Sequence, residues 1–226
     1  MKTKYIALAV VVMLATLSIT SCIKDDVNVD DTKWVDLDLP SGLLWAANNV
    51  GATAPEDYGD LFAWGETNTK NTYDWSTYLH SNKRGDLSKY CSRPLYGRNH
   101  FTDTLTILQP DDDAATTRIC NGGRTPKIEE WQELLDNTSA TWTTRNGTTG
   151  YLFTAPNGNS LFLPAAGLCS DKTIDSEGIG GNYWSSSLET DYPTDAWCFD
   201  FDSVHQEINK ASRYKGFSIR AVRDAR

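Results

Sequence analysis

The sequence lacks long hydrophobic runs and an excess of positive charge. Its apolar run from Tyr5 to Leu17 is shorter than the roughly 20 residues that a membrane-spanning helix needs. The 226 residues carry 21 lysines and arginines against 30 aspartates and glutamates, a formal charge of −9. An acidic chain has no electrostatic basis for binding nucleic acid or anionic lipid, so we exclude both partner classes.

Signatures of several enzyme classes are also missing. The five cysteines show no CxxC spacing, which argues against a zinc site, and no GxSxG serine motif occurs. His80, His100 and His205 lie too far apart for the i, i+4 pair of a helical metal site. Residues 212–215 spell SxxK, but the SDN and KTG partners of penicillin-recognising hydrolases do not follow. We therefore expect a protein that is not an enzyme and has no metal ligands.

The amino terminus is typical of an exported protein. Lys2 and Lys4 precede the apolar run, and Ile19-Thr20-Ser21-Cys22 follows it. A short basic segment, an apolar run and small residues before a cleavage site form a secretory signal, and the tetrapeptide resembles the bacterial lipobox. We expect residues 1–21 to be a lipoprotein signal peptide and Cys22 to carry the lipid. The alternative is an ordinary signal peptide with a chance cysteine.

An acidic segment, residues 22–32, follows the signal. It contains four aspartates and no apolar periodicity, so we expect a disordered tether. Lys24-Asp25-Asp26 resembles the surface-export signal of Bacteroidetes-type lipoproteins, which implies an outer-membrane protein held by its lipid alone and facing the cell exterior. The alternative is a plain acidic linker. Removing residues 1–21 takes away two lysines and no acid, which moves the formal charge from −9 to −11.

Residues 33–226 have the size and composition of one domain. The chain's 8 Trp, 10 Tyr and 7 Phe supply a core without long apolar runs, which predicts short strands and many loops rather than a parallel sheet. Outside the cytoplasm the four cysteines after Cys22 permit two disulfides in any of three pairings; they are Cys91, Cys120, Cys169 and Cys198. Cys198 lies in an apolar strand pattern, where a buried free thiol is the alternative.

Local patterns predict two hairpins joined by long loops. The first has strands near 34–39 and 43–47 around a Pro-Ser-Gly turn, and the second spans 150–167 around a Pro-Asn-Gly-Asn turn. Residues 51–110 show no sustained period, so we expect ordered loops that carry aromatic side chains into the core. A short strand near 59–66 is the exception.

One long helix is predicted over 125–137. Thr125 is a good N-cap, and Pro126 suits the first helical position. Its apolar stripe consists of Ile128, Trp131, Leu134 and Leu135. A shorter helix over 111–119 would have its aspartates at the N-terminal end.

Two alternating patterns near the C-terminus, over 195–203 and 215–224, predict strands with one buried face. Aromatic and apolar residues occupy the positions expected to face the core. The positions expected on the other face are Cys198, Asp200, Asp202, Ser218, Arg220 and Val222.

Six segments in this order resemble a known family. They are "WVDLDLPSGLLWAANNVGA", "EDYGDLFAWGET", "DDAATTRICNGGRTPKIEEWQELLDN", "GNSLFLPAAG", "GNYWSSS" and "GFSIRAVRD". Together they resemble the Fibrobacter succinogenes major paralogous domain, over nearly the whole stretch from Trp34 to Arg223. The resemblance implies an α+β, C-type-lectin-like fold, with short, mostly antiparallel strands, one or two helices and long ordered loops. It also implies that the N- and C-terminal strands pair, with the Trp34 strand beside the Phe217 strand.

Two related groups share parts of this pattern. The helix segment and the C-terminal ending are similar to the formylglycine-generating-enzyme superfamily, but the active-site cysteine pair and the "RGGSW" segment of those enzymes do not appear. The C-terminal end also resembles the variable regions of retroelement-diversified C-type-lectin-like proteins, in which polar positions between scaffold aromatics bind a ligand. Such diversification leaves Asn-rich stretches, and residues 198–215 contain only Asn209. Composition therefore does not diagnose it.

The interleaved polar residues of the C-terminal loop face are the predicted ligand-binding site, because aromatic faces beside polar groups suit recognition surfaces. They are Glu189, Thr190, Asp191, Tyr192, Asp200, Asp202, His205, Gln206, Asn209, Arg213 and Tyr214. We assign Tyr183, Trp184 and Trp197 to the core. The expected partner is an extracellular glycan or protein, as for an adhesion protein. The alternative is a structural or tip subunit of a surface assembly, which would use this face as a protein interface.

Two places in the sequence have oxygen ligands of the kind that calcium prefers. Gln109-Pro110-Asp111 spells the QPD triplet of sugar-binding C-type lectins, but it precedes a predicted helix, and the Trp-Asn-Asp partner is absent. A second acidic loop contains Asp171, Asp175 and Glu177. An incidental structural cation at this loop is the alternative. We therefore expect no cofactor.

Overall fold

The structure is a computed structural model that describes residues 32–119 and 121–225. The predicted signal peptide, the lipidated Cys22, almost all of the tether, and Cys120 lie outside the described residues. Within the described ranges the elements are β1 Trp34–Asp36, β2 Leu44–Asn49, α1 Ala114–Arg118, α2 Ile128–Asn137, β3 Ser139–Arg145, β4 Thr148–Thr154, β5 Ser160–Pro164, β6 Leu168–Ser170, β7 Thr173–Asp175, β8 Gly180–Leu188, β9 Asp195–Asp202, β10 Gln206–Ser212 and β11 Arg220–Arg223. No helix in this part of the chain is long and apolar enough to cross a membrane.

The strands form small antiparallel sheets. Three have three strands each, in the orders β1-β2-β11, β3-β4-β5 and β10-β9-β8, and β6 pairs with β7. With two short helices beside them, this confirms the predicted α+β class of short, mostly antiparallel strands. Both predicted hairpins are present, as β1–β2 and β4–β5.

The first and last strands share a sheet but do not pair with each other as expected. β2 lies between them and pairs with both. Phe217 pairs instead with Phe62 through an isolated bridge, in which each backbone N–H donates to the other's carbonyl. The expected pairing of the Trp34 strand with the Phe217 strand is therefore wrong. The predicted strand over 59–66 is reduced to this one bridge.

The main helix begins later than its capping residues suggest. α2 starts at Ile128, and the Glu130 carboxylate accepts the Lys127 N–H at 2.7 Å. Thr125, the predicted N-cap, instead donates its hydroxyl to Asp113 at 2.5 Å. The Thr125 hydroxyl thus bonds to Asp113, which is distant in sequence, and does not cap α2. The apolar stripe is confirmed, since Trp131 and Leu134 are buried.

The core is divided into clusters by strands that are buried on both faces. On β9, Phe199 and Phe201 belong to one cluster, whereas Ala196 and Cys198 belong to a second. At the C-terminus Ser218 and Arg220 are as buried as Ile219. The predicted polar faces at Cys198, Ser218, Arg220 and Val222 are therefore wrong, because neighbouring loops cover the far side of these strands.

The loop region, residues 51–113, contains no strand and yet fills a third cluster. Tyr73, Tyr78 and Cys91 are buried in it, and Trp64 and Tyr90 reach the second cluster. This confirms the expectation of ordered loops that carry aromatics inward. Cys91, Cys169 and Cys198 are buried free thiols.

Candidate ligand-binding groove

The β9–β10 register places three exposed or half-buried side chains beside α2. In an antiparallel pair, directly opposed residues point to the same face. Trp197 is opposite Lys210 and Ile208 is opposite Phe199. Phe199 packs against Trp131 of α2, with ring centres 5.2 Å apart. Trp197, Ile208 and Lys210 therefore share the face on which the helix lies.

An open groove of about 220 Å³ separates the first turns of α2 from this face. Trp197 and Ile208 line one side, and Ile128, Glu129 and Gln132 line the other. Most of its surface is apolar, with the carboxylate and the amide from the helix at its rim. A half-buried indole between apolar side chains presents a flat surface to a ligand, because the ring face needs no hydrogen-bond partner.

A polar cluster lies on the sheet next to Trp197. The Lys210 ammonium donates to the buried Glu189 carboxylate at 2.9 Å. The same ammonium lies 5.5 Å from the Trp197 ring and 5.3 Å from the Tyr192 ring. One lysine thus orients two aromatic side chains and neutralises one carboxylate.

Charge states in this cluster follow from the contacts. Burial raises the pKa of the Glu189 carboxyl, but the hydrogen bonds from Lys210 and from the Asp191 N–H together lower it by more. The pKa of Glu189 is therefore below its usual value. The Glu189 hydrogen bond raises the pKa of Lys210. The pair therefore stays ionised at neutral pH.

The predicted residues of the β8–β9 loop divide into two pairs: Glu189 and Tyr192 contact Lys210 next to the groove, and Thr190 and Asp191 contact the loop region. Asp191 forms an exposed ion pair with Arg93 of the loop region, and the Thr190 carbonyl accepts the Ser92 hydroxyl proton. Tyr192 is 52% exposed. These contacts hold the loop against its neighbour while leaving the Tyr192 ring accessible.

Five other predicted residues lie elsewhere. Asp200 accepts from Asn209 at 3.0 Å on the sheet face away from α2, and burial raises the pKa of Asp200. Asp202 and His205 form the β9–β10 turn, and Gln206 begins β10. Strand β9 is about 23 Å long at 3.3 Å per residue. The eleven predicted positions thus do not form one site.

The remaining two predicted residues are used internally. Arg213 is fully buried and donates to Tyr78 Oη at 2.8 Å and to the carbonyls of Tyr90, Pro193 and Lys89. Tyr214 packs on the Trp75 ring, with centres 5.2 Å apart. Four of the five N–H groups of Arg213 donate inside the protein and its side chain is fully buried, so it is not the ligand-binding residue that was predicted; the alternation pattern gave no sign of this burial.

Sequence reasoning missed the groove itself. Trp197 was assigned to the core with its aromatic neighbours, but it is only half-buried, while Tyr183 and Trp184 are buried as expected. The alternating pattern does not single out Lys210 or Ile208. The signal that identifies them is the strand register across the 202–205 turn, and that register depends on the hydrogen bonds of Asp202 in the turn.

The QPD triplet is engaged in helix initiation. Pro110–Asp112 form a 3₁₀ turn, and Asp113 caps α1 by accepting the Ala115 N–H at 3.0 Å. Asp112 accepts from Lys89 and from the Tyr90 hydroxyl. Across residues 32–119 and 121–225, no group of three or more histidine, cysteine or acidic side chains is placed to hold a metal ion.

Comparison of the chain with protein-family models, with curated proteins and with solved structures gave no match.

Proposed function

We propose that this protein is a ligand-binding module of C-type-lectin-like fold, and that the groove between α2 and the β9–β10 hairpin receives an extracellular glycan. The observation that carries the proposal is the placement of Trp197, which is only half-buried beside a core rich in buried aromatics. A flat indole face stacks on the C–H face of a sugar ring, and Gln132, Glu129 and Lys210 supply hydrogen-bonding groups around it.

The fold assignment rests on architecture together with the sequence resemblance. The first and last strands share one sheet, two helices flank it, and a long strand-free loop region completes the core. A protein ligand would use the same face, but a groove of about 220 Å³ suits one or two sugar rings better than a large protein interface.

The proposed location is the outer surface of the cell, with Cys22 as the lipid attachment point. This part rests on the amino-terminal sequence pattern alone. A tether of about ten residues would let the groove reach ligands outside the membrane.

The proposed module binds without catalysis. Burial raises the pKa of the Cys169 and Cys198 thiols, whereas a nucleophilic cysteine needs a lowered pKa to form its thiolate. The two thiols also belong to different core clusters. They therefore do not resemble the active-site pair of formylglycine-generating enzymes.

The test is binding of the purified full chain to a panel of immobilised neutral and acidic glycans. Trp197→Ala should lower affinity for any bound glycan roughly tenfold, because stacking on an aromatic ring is worth about 0.5–1.5 kcal/mol beyond the apolar area that it buries. Trp75→Ala is the matched control, since Trp75 is also half-buried but packs on Tyr78 and Tyr214 away from the groove. Equal affinity of the Trp197 variant and wild type would refute the site.

A second variant separates the groove from the turn at the other end of the hairpin. The triple change of Asp200, Asp202 and His205 to alanine should leave glycan affinity unchanged, because these residues lie on the far face or in the turn. If the triple variant loses binding and the Trp197 variant does not, the ligand site lies at the turn.

A further inference from the structure

The outer edge of β3 is open. The β3–β4 hairpin closes with a two-residue turn in which Asn146 and Gly147 have φ of 47° and 88°, as in a type I′ turn. Arg145 and Thr148 are then a hydrogen-bonded pair, and bonded positions alternate along the strand. The N–H and C=O groups of Ala140, Trp142 and Thr144 therefore point away from β4. Within the described residues none of these groups has a hydrogen-bond partner.

The other long edges are covered. On β5, the Phe162 carbonyl accepts from Arg220 and the Pro164 carbonyl accepts from the Tyr183 hydroxyl. Along β8, the backbone bonds to Ser218, Pro126 and Leu108.

The β10 edge carries its own protection. The Asn209 side chain accepts the outward Lys210 N–H at 2.8 Å, and the lysine itself opposes strand addition. Strand β3 has neither a lysine nor, within the described residues, a side chain bonded to its outward N–H groups. Its sequence, SATWTTR, contains no proline, glycine, lysine or acid. Its single charge, Arg145, lies at the end and pairs with Glu56 at 3.1 Å. An edge of this kind is a template for another strand.

We propose that β3 pairs with β3 of a second copy of this chain, antiparallel and centred on Trp142. The assignment follows from the near-palindrome of the strand. In this register Trp142 faces its own copy and Ala140 faces Thr144, so every outward N–H and C=O of one copy meets a partner. Thr141 faces Thr143, a pairing that stabilises sheets.

Symmetry favours a second copy over an unrelated strand. The pairing is isologous, with two equal patches meeting across a two-fold axis, so it closes at a dimer. It joins two three-stranded sheets into one of six strands. No like charges oppose each other, because Arg145 faces Ser139. The inference is independent of the glycan groove, which lies on a different sheet.

A cysteine-mixing experiment on the full chain in mild detergent tests the register. Thr141 is exposed and Thr143 half-buried, and both lie on the outer face. In the dimer they form a non-hydrogen-bonded pair, close enough for a disulfide. A mixture of the Thr141→Cys and Thr143→Cys proteins should give a covalent dimer on a non-reducing gel. Each variant alone should remain at the wild-type level, which controls for the native cysteines.

A charge variant tests the edge without new thiols. Thr141→Lys with Thr143→Lys would place lysines opposite each other twice across the axis, so sedimentation should show a monomer where wild type shows a dimer. Ser203→Lys with Val204→Lys adds the same charge at the exposed β9–β10 turn and should keep the dimer. Thermal melting checks that both variants are folded.

Amide hydrogen exchange decides between the occupants. Slow exchange at Trp142 in wild type, lost in the Thr141/Thr143 lysine variant together with the dimer, supports the proposal. A concentration-independent monomer with fast exchange at Trp142 means that the edge is open and overturns it. A monomer with slow exchange at Trp142 means that a segment of the same chain covers the edge, and overturns it equally.

Discussion

Two fully buried arginines hold two differently built regions of this protein. Arg220 lies among the strands and donates to Asn49 Oδ1 and to the carbonyls of Ala46, Ala47 and Phe162. Arg213 holds the loop region to the end of β10. Among residues 32–119 and 121–225, neither forms an ion pair with a carboxylate. Both satisfy the guanidinium with neutral oxygens, at the cost of removing a charge from water.

The regions differ in how their backbones are satisfied. Among the strands, ladder bonds pair the peptide groups, and Arg220 fastens one sheet to the next. In the loop region, side chains replace the ladder. The Asp103 carboxylate alone accepts the N–H groups of Tyr90, Cys91 and Leu105. A loop of this length stays ordered because single polar side chains each fix several peptide groups.

The largest expected effect comes from removing the arginine among the strands. Arg220→Met fills similar volume but leaves three carbonyls and the Asn49 side chain without a donor. We expect a loss of about 3–5 kcal/mol in the free energy of unfolding, seen as one cooperative shift in urea denaturation. Burial lowers the pKa of Arg220 to about 10, which still keeps the guanidinium charged at neutral pH, where the denaturation is carried out. A change below 1 kcal/mol would show that the sheets do not depend on this contact.

Arg213→Met should lower stability by about 3 kcal/mol. The loss should appear as easier opening of the loop region alone. The guanidinium also lies 4.9 Å from the Trp64 ring and 5.2 Å from the Tyr78 ring, so stacking is lost with the hydrogen bonds. Limited proteolysis should cut the variant first between residues 78 and 93 while the strands stay protected. Arg93→Met, which removes only an exposed ion pair, is the control. Simultaneous cleavage throughout the chain would mean that the two regions unfold as one.

Two glycines, one in each region, allow the same substitution to be compared at an expected cost of about 1 kcal/mol in stability. Gly147 in the β3–β4 turn and Gly85 in the loop region have φ of 88° and 76°, and an added Cβ would meet no atom within 4 Å at either. Alanine therefore costs only the left-handed backbone strain, about 1 kcal/mol. Gly147→Ala should lower the global unfolding free energy, whereas Gly85→Ala should mainly speed hydrogen exchange in the loop region. The reverse pattern would contradict independent opening.

The smallest effect is a pH dependence in the loop region. Burial, with the nearby Arg213 charge, lowers the pKa of His80, whose Nε2 lies 3.0 Å from the Gly65 carbonyl. The folded pKa of His80 is below its unfolded value of 6.5. The contribution of neutral His80 to the free energy of unfolding is therefore fully present above pH 6.5 and is lost as the pH drops through the folded pKa. His80→Gln keeps a donor without the charge. The variant should lose less melting temperature than wild type between pH 7 and pH 5, and parallel losses would exclude His80.

The strand region was largely predictable because its signals are local. The turn at Pro40-Ser41-Gly42, the Asn157-Gly158 turn and the stripe on α2 each depend on a few neighbouring residues, and each is present. The order of the strands within the sheet was not predictable, since the position of β2 between β1 and β11 depends on contacts between distant segments.

The site was less predictable than the fold, for a physical reason. Strand alternation treats every polar residue as exposed and every aromatic residue as core. Arg213 breaks the first rule because four of its five donors meet carbonyls and a tyrosine hydroxyl inside the protein. Trp197 breaks the second because a groove separates its indole from α2, so the helix does not bury the ring. Neither outcome is written in the local pattern.

The arrangement of β1, β2 and β11 also makes the domain portable. Trp34 and Arg223 pair with positions two residues apart on β2, and the Arg223 guanidinium carbon lies 4.5 Å from the Trp34 ring centre. The polypeptide thus enters and leaves at one point. A host protein opened at a single exposed loop can receive residues 33–225 as a cassette without its own ends moving apart.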